Sequence, residues 1–74
     1  MEGKMLYTII NNVKKGDNNN ITTETWTGQK WSINELKRIK ILFDFEVVEV
    51  SDEVFIFQGQ VGNDYHQLIF IEEE

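Results

Sequence analysis

Two short segments, residues 54–57 and 68–71, are apolar at every position, and this pattern most constrains the fold. A strand in an antiparallel sheet with one solvated face alternates apolar and polar residues. These two predicted strands therefore present apolar side chains on both faces of their sheet. Because one short helix covers only one face of a five-stranded sheet, the other face needs a cover. The candidates are closure of the sheet into a small barrel, a second copy of the chain, or another protein.

The strongest local signal is the start of a helix at Ser32. Ser32 and Glu35 match a capping box, in which the serine hydroxyl accepts from the Glu35 N–H and the carboxylate accepts from the Ser32 N–H. Trp31 and Leu36 occupy the positions of a hydrophobic staple around this box. The sequence predicts a helix at about Ile33–Leu42. Its end stays open at this point, since residues 41–45 also suit an extended chain.

Five strands are predicted around this helix. Alternating, β-branched and aromatic residues mark the strands, and segments rich in Gly, Asn and Asp mark turns. The predicted strands are residues 4–13, 21–26, 45–50, 53–60 and 65–71. Residues 27–30 are predicted to turn the chain, and residues 72–74 to form a frayed acidic tail. Residues 1–74 are thus expected to form one α+β domain of order β-β-α-β-β-β, a bent antiparallel sheet of about five strands with one helix packed on it. The first two strands are expected to form a hairpin and the last three an antiparallel meander.

Composition narrows the class of protein further. The chain has 74 residues and no cysteine, which excludes disulfides and cysteine-based zinc sites. Residues 1–5 lack the apolar core of a signal peptide, and no apolar run is long enough to span a bilayer. We therefore expect a cytoplasmic protein without membrane association, whose stability comes from apolar burial and from any self-association.

Charge is divided unevenly along the chain. The net charge is -6. All seven Lys and Arg residues precede residue 41, and the Asp and Glu residues after residue 43 have no Lys or Arg among them. Such a distribution can create an acidic surface that attracts a basic partner and imitates the charge of nucleic acid. The basic helix can instead lie beside the acidic strands and neutralise them. Direct binding of nucleic acid is disfavoured, because phosphate contacts need a basic surface.

No residue pattern indicates catalysis or cofactor binding. His66 is the only histidine, and no nearby nucleophile or orienting acid accompanies it in the sequence, so we expect a structural or surface role. Neighbouring carboxylates, such as Asp52 and Glu53, are expected to be solvated, because a metal site draws ligands from several elements. The chain has no phosphate-binding loop and no dinucleotide fingerprint. We therefore predict no enzyme activity, no cofactor and no metal.

These observations favour a non-catalytic protein-binding domain whose acidic surface blocks a basic nucleic-acid-binding groove of a partner protein. Small inhibitors from phages and mobile elements have this general character, which is an analogy of type and not of sequence. The predicted partner-binding residues are Asp44, Glu46, Glu49, Asp52, Glu53, Phe55, Phe57 and Tyr65. One alternative is a structural or regulatory homodimer formed through an apolar sheet face. Another is a single-stranded nucleic-acid binder that uses Trp26, Trp31 and the basic helix.

Overall fold

The computed structural model describes residues 3–16 and 19–73, and it confirms the predicted α+β fold. In chain order, the elements are β1 (Lys4–Lys15), β2 (Ile21–Ser32), α1 (Ile33–Leu42), β3 (Glu46–Glu49), β4 (Val54–Val61) and β5 (Asp64–Glu72). The strands form one sheet in the order β2-β1-β5-β4-β3, and all neighbours are antiparallel. The strand latest in sequence therefore lies in the middle of the sheet, between the β1–β2 hairpin and the β3–β4 hairpin.

The sheet is open, with β2 and β3 as its two edges. Closure into a barrel, one of the three covers that the sequence allowed, is therefore excluded. Helix α1 follows one edge strand and precedes the other, so it crosses one face of the sheet. We call this side the helix face; it carries the buried residues Ile9, Phe57 and Phe70. The opposite side, which we call the open face, carries their sequence neighbours, because side chains alternate along a strand.

Both ends of helix α1 are fixed by local hydrogen bonds, and its predicted bounds are confirmed. At the start, the Glu35 N–H donates to Ser32 Oγ at 3.1 Å, and the Ser32 N–H donates to Glu35 Oε1 at 3.0 Å. At the end, the Phe45 N–H donates to the Lys40 carbonyl at 2.9 Å, and Asp44 adopts a positive φ of 54°. This arrangement is a Schellman motif with an aspartate where glycine is usual.

The core on the helix face is mainly aromatic. Phe70, 1% exposed, lies at its centre. Its ring stacks on Phe55 with the centroids 4.8 Å apart and meets Tyr7 edge-on at 5.6 Å. Phe45, which follows the helix, packs over Gly59 of β4, where an added Cβ would lie 3.1 Å from the Phe45 ring. Glycine at position 59 therefore lets the chain after the helix pack directly against the sheet.

Each of the five strands differs from its predicted bounds at one end or both, mostly by one or two residues. Residues 27–30 do not end β2: the strand continues to Ser32 through a bulge, and Gly28 adopts a φ of 67° there. Strand β3 is shorter than predicted and covers only Glu46–Glu49. The predicted tail is also ordered where it is described, because Glu72 belongs to β5 and the Glu73 N–H donates to the Leu6 carbonyl at 2.8 Å. Glu74 lies outside the described residues.

Candidate protein-binding surface

The five predicted acidic residues gather along one edge of the sheet. Glu46 and Glu49 lie on β3, and all five side chains belong to exposed residues. Asp44 precedes β3 at the end of the helix, and Asp52 and Glu53 form the turn between β3 and β4. We call these five residues the acidic edge. Alternation along β3 turns Glu46 to the open face and Glu49 to the helix face.

The basic helix does not neutralise the acidic edge by direct ion pairs. In the described part of the chain, the one salt bridge within 4.0 Å joins Lys4 Nζ to Glu35 Oε1, at 3.1 Å. Lys37 lines a shallow depression together with Glu49 and Asp52, so one helix cation lies on that side of β3. The edge thus keeps a local excess of negative charge.

Of the three predicted aromatic residues, Phe55 lies beside the acidic edge, where it lines the shallow depression together with Glu49 and Asp52. Phe57 is 4% exposed and belongs to the core, so its ring cannot contact a partner without disruption of the core. Phe55 is half-buried on the helix face, where it stacks on Phe70. Tyr65 is 40% exposed, but it lies on β5 opposite Gln60 and Lys14 on the open face. The structure therefore buries Phe57, leaves Phe55 partly exposed beside Glu49 and Asp52, and places Tyr65 on the other face of the sheet.

The open face carries an aliphatic surface that no helix or other strand of residues 3–16 and 19–73 covers. Cross-strand pairing brings Ile10, Ile69, Ile56 and Val48 into one row across β1, β5, β4 and β3. A second row contains Thr8, Ile71 and Val54. Each of these seven residues is half-buried by its neighbours within the sheet. Together they form the aliphatic patch, and its row through Val48 ends on the strand that carries the acidic edge.

A row of polar side chains borders the aliphatic patch. The Thr23 hydroxyl donates to Asn12 Oδ1 at 2.7 Å, and Asn12 Nδ2 donates to Gln67 Oε1 at 3.1 Å. Further along the row, Gln58 Nε2 donates to Glu46 Oε2 at 3.3 Å. A polar row of this kind fixes the register of the sheet and leaves oxygen and nitrogen atoms for a partner to contact. Sequence reasoning missed it, because its signal exists only after the strand order is known.

The helix face holds a cavity of about 300 Å³ beside the helix end. Its lining is apolar and includes both tryptophans, Trp26 and Trp31, together with Phe43. The polar groups are Asn11 and His66, with 3.4 Å between Asn11 Oδ1 and His66 Nδ1. A cavity of this size and lining can receive one apolar side chain or a small ring. Both tryptophans thus turn toward the helix side of the sheet and not toward the open face.

The structure offers few groups for chemistry. No cluster of three or more metal-ligating side chains occurs among residues 3–16 and 19–73. Hydrogen bonds from Ser32 and the nearby Lys4 lower the pKa of Glu35, and burial followed by the Glu72 charge raises the pKa of Tyr7. Each group has a structural place, one in the helix cap and one in the core. Helix α1 is too short to cross a membrane, and the described residues contain no other helix.

Comparison with known proteins finds no matching family model, no similar curated protein and no similar solved structure. The functional argument therefore depends on the surfaces described above.

Proposed function

We propose that this chain is a non-catalytic protein-binding domain that docks through its open face, with the acidic edge selecting a basic partner. The observation that supports this proposal most is that the aliphatic patch and the acidic edge meet on strand β3. Val48 and Glu46 lie two residues apart there and turn to the same side of the sheet. Apolar contact at the centre and charge at the border is the usual anatomy of a protein interface.

The concrete form of this function is occupancy of a basic groove that otherwise binds nucleic acid. Carboxylates spaced along an exposed edge present negative charge as a phosphate backbone does, and such fields accelerate the encounter with a basic surface. The lack of direct ion pairs on the acidic edge supports this form, because those charges remain free to act on a partner. Among the predicted binding residues, the five acids and Tyr65 are exposed, whereas Phe55 and Phe57 serve the core.

A matched pair of charge reversals tests this function. Glu46 lies on the open face at edge β3, whereas Glu24 lies at the other edge, opposite Asn11 on the helix face. After capture and identification of a basic partner, Glu46→Lys should slow association about tenfold and flatten its salt dependence. Glu24→Lys makes the same charge change and should alter the rate far less.

Displacement by nucleic acid tests the groove model in the same assay. A labelled oligonucleotide should compete with the chain for the captured partner. Equal rates for the two charge reversals, or simultaneous binding of partner, chain and oligonucleotide, would refute the occupancy mechanism.

A further inference from the structure

Lysines lie on one side of the open face and acidic residues on the other, except that Glu73, which follows β5, accepts a hydrogen bond from the Gly28 N–H of β2. Lys14 and Lys30 project from β1 and β2 on one side, as their pairing with Tyr65 and Leu6 shows. Glu46 and the acidic turn at residues 52–53 lie on the other side, beyond β4. Strand β5 lies between the two sides, at the centre of the sheet. A surface with this layout is complementary to a copy of itself turned by half a rotation about β5.

We propose that the open face also binds a second copy of this chain, packed face to face about a two-fold axis that runs along β5. This inference rests on the proposed function for its docking surface and goes beyond it, because the second copy occupies that surface when no basic partner is bound. In a two-fold interface the same patch serves both copies. With the axis along β5, each β1 lies over the partner's β4, and each β2 lies over the partner's β3.

The apolar contacts of this arrangement match in position. Ile69 and Ile71 lie on β5, so each meets its own copy across the axis. Ile10 of one copy lies over the partner's Ile56, because the two residues stand in the same row on either side of Ile69. The side chains of the two patches would then interdigitate as in a β-sandwich, where aligned sheets pack about 10 Å apart.

Electrostatic complementarity favours an axis along β5 over an axis that runs across the strands. With the axis along β5, Lys14 approaches the partner's Glu46, and Lys30 approaches the acidic turn of the partner. A two-fold axis across the strands would instead place each β3 over the partner's β3 and bring the acidic edges together. Each copy carries a net charge of -6, so an arrangement that adds local repulsion is disfavoured further.

The size of the open face predicts a reversible dimer. Five strands spaced about 4.8 Å apart and about eight residues of usable length give roughly 500 Å² of flat area per copy. A standard stable interface buries about 800 Å² on each partner. We therefore expect dissociation in the micromolar range, so that monomer and dimer coexist at concentrations accessible to sedimentation.

Sedimentation equilibrium should show this dimer at protein concentrations from roughly 1 to 500 µM, since a dimer of micromolar affinity dissociates within that range. Ile69→Asp places a carboxylate at the axis and should yield a monomer throughout. Ile41→Asp is the matched control, because Ile41 is 78% exposed on the helix and lies away from the open face. Circular dichroism checks that both variants keep the fold. A wild-type chain that stays monomeric, or a dimer lost in Ile41→Asp and kept in Ile69→Asp, would overturn the inference.

Charge-swapped variants test the axis without disturbing the apolar patch. Lys14→Glu with Lys30→Glu makes both sides of the open face acidic, and Glu46→Lys with Glu53→Lys makes both sides basic. Each double variant alone should dimerise at least tenfold more weakly than the wild type. A mixture of the two should restore dimers that contain one chain of each kind. Unchanged self-association of either double variant would contradict the proposed axis.

The outcomes separate this inference from the proposed function. If the wild type is monomeric but a different, basic protein binds it in a manner that Ile69→Asp abolishes, the open face is the docking surface and the second copy is not its partner. If a basic partner still binds Ile69→Asp while the wild-type dimer depends on Ile69, the hetero-partner function fails at this face and the dimer remains.

Discussion

The helix face and the open face alternate along the same strands, but different side chains build them. The helix face is filled with rings, and Phe70 contacts Tyr7, Trp31, Phe55 and Phe57 there. The open face instead combines β-branched side chains with a row of hydrogen-bonded polar groups. Rings are long enough to fill the gap between a sheet and a helix, whereas short branched side chains form a flatter surface. The difference shows that the helix face supplies the aromatic core, whereas the open face carries the aliphatic patch on which the proposed docking depends.

The largest expected difference in stability between the two faces concerns two adjacent residues of β5. Phe70→Ala should lower the free energy of unfolding by about 3–5 kcal/mol, because it leaves a cavity at the centre of the aromatic core. Ile69→Ala changes the next residue, on the open face, and should cost the monomer about 1 kcal/mol or less. Urea denaturation at low protein concentration, where the monomer dominates, measures both values. Equal costs would show that the two faces contribute alike to the monomer.

The next largest expected change in stability concerns a glycine on the helix face. Gly59→Ala adds a methyl group 3.1 Å from the Phe45 ring, so the ring must shift or the strand must move. We expect a loss of about 1–3 kcal/mol by overpacking. Gln58→Ala, one residue away on the open face, is the control and should change stability by about 1 kcal/mol or less, since it removes only the contact to Glu46. Thermal unfolding followed by circular dichroism distinguishes the two.

Substitution of Asp44 by glycine should change the stability by a smaller amount, and it should raise it. Its φ of 54° strains an L-residue, and glycine removes that strain at the end of a Schellman motif. Asp44→Gly should therefore stabilise the chain by about 0.5–1 kcal/mol, although it removes one charge from the acidic edge. Asp44→Ala is the control and should not stabilise. A loss of stability in Asp44→Gly would mean that the carboxylate, and not the backbone, determines the residue at this position.

The smallest expected change in stability concerns the N-terminal cap of helix α1. Hydrogen bonds from Ser32 and the nearby Lys4 hold the pKa of Glu35 below its ordinary value of 4.5. The cap therefore stabilises the fold fully above pH 4.5, and this contribution is lost as the pH falls through the lower folded-state pKa. Acid unfolding of Glu35→Gln, which keeps a capping acceptor but does not titrate, should lack this component. Identical profiles would rule out a role for Glu35 in acid sensitivity.

Sequence reasoning located the helix correctly because its signals are local. The capping box places Ser32 and Glu35 three residues apart, and the structure forms both of its hydrogen bonds. The bulge at Gly28 was mistaken for a turn, since a glycine with positive φ serves either purpose and only pairing with β1 decides. The β1–β2 hairpin and the antiparallel β3-β4-β5 meander were predicted correctly, since their strands are neighbours in sequence. The pairing of β1 with β5 was not predicted, because nothing near Tyr65 or Phe70 in the sequence states which distant strand will lie beside β5.

The outward-facing apolar residues were predicted only in part, because two strands are apolar on both faces. Alternation correctly groups Phe55 with Phe57, but it does not say which group meets the helix. The acidic residues posed no such problem, since unpaired carboxylates remain in water on whichever side they lie. The sequence therefore predicted the exposed acidic residues and one uncovered apolar face, but it did not show which residues of 54–57 and 68–71 form that face or that Ile10, Val48 and Thr8 join it.

The central position of β5 also has a consequence for how the chain folds. Tyr7 pairs with Glu72, so the sheet joins residues that lie far apart in sequence. The β1–β2 and β3–β4 hairpins share no ladder of their own and meet only through β5. An isolated hairpin is barely stable in water, and long-range pairing slows the search for the native topology. We expect folding in a single late step, in which β5 of the β3-β4-β5 meander pairs with β1 and both halves of the sheet gain their structure together.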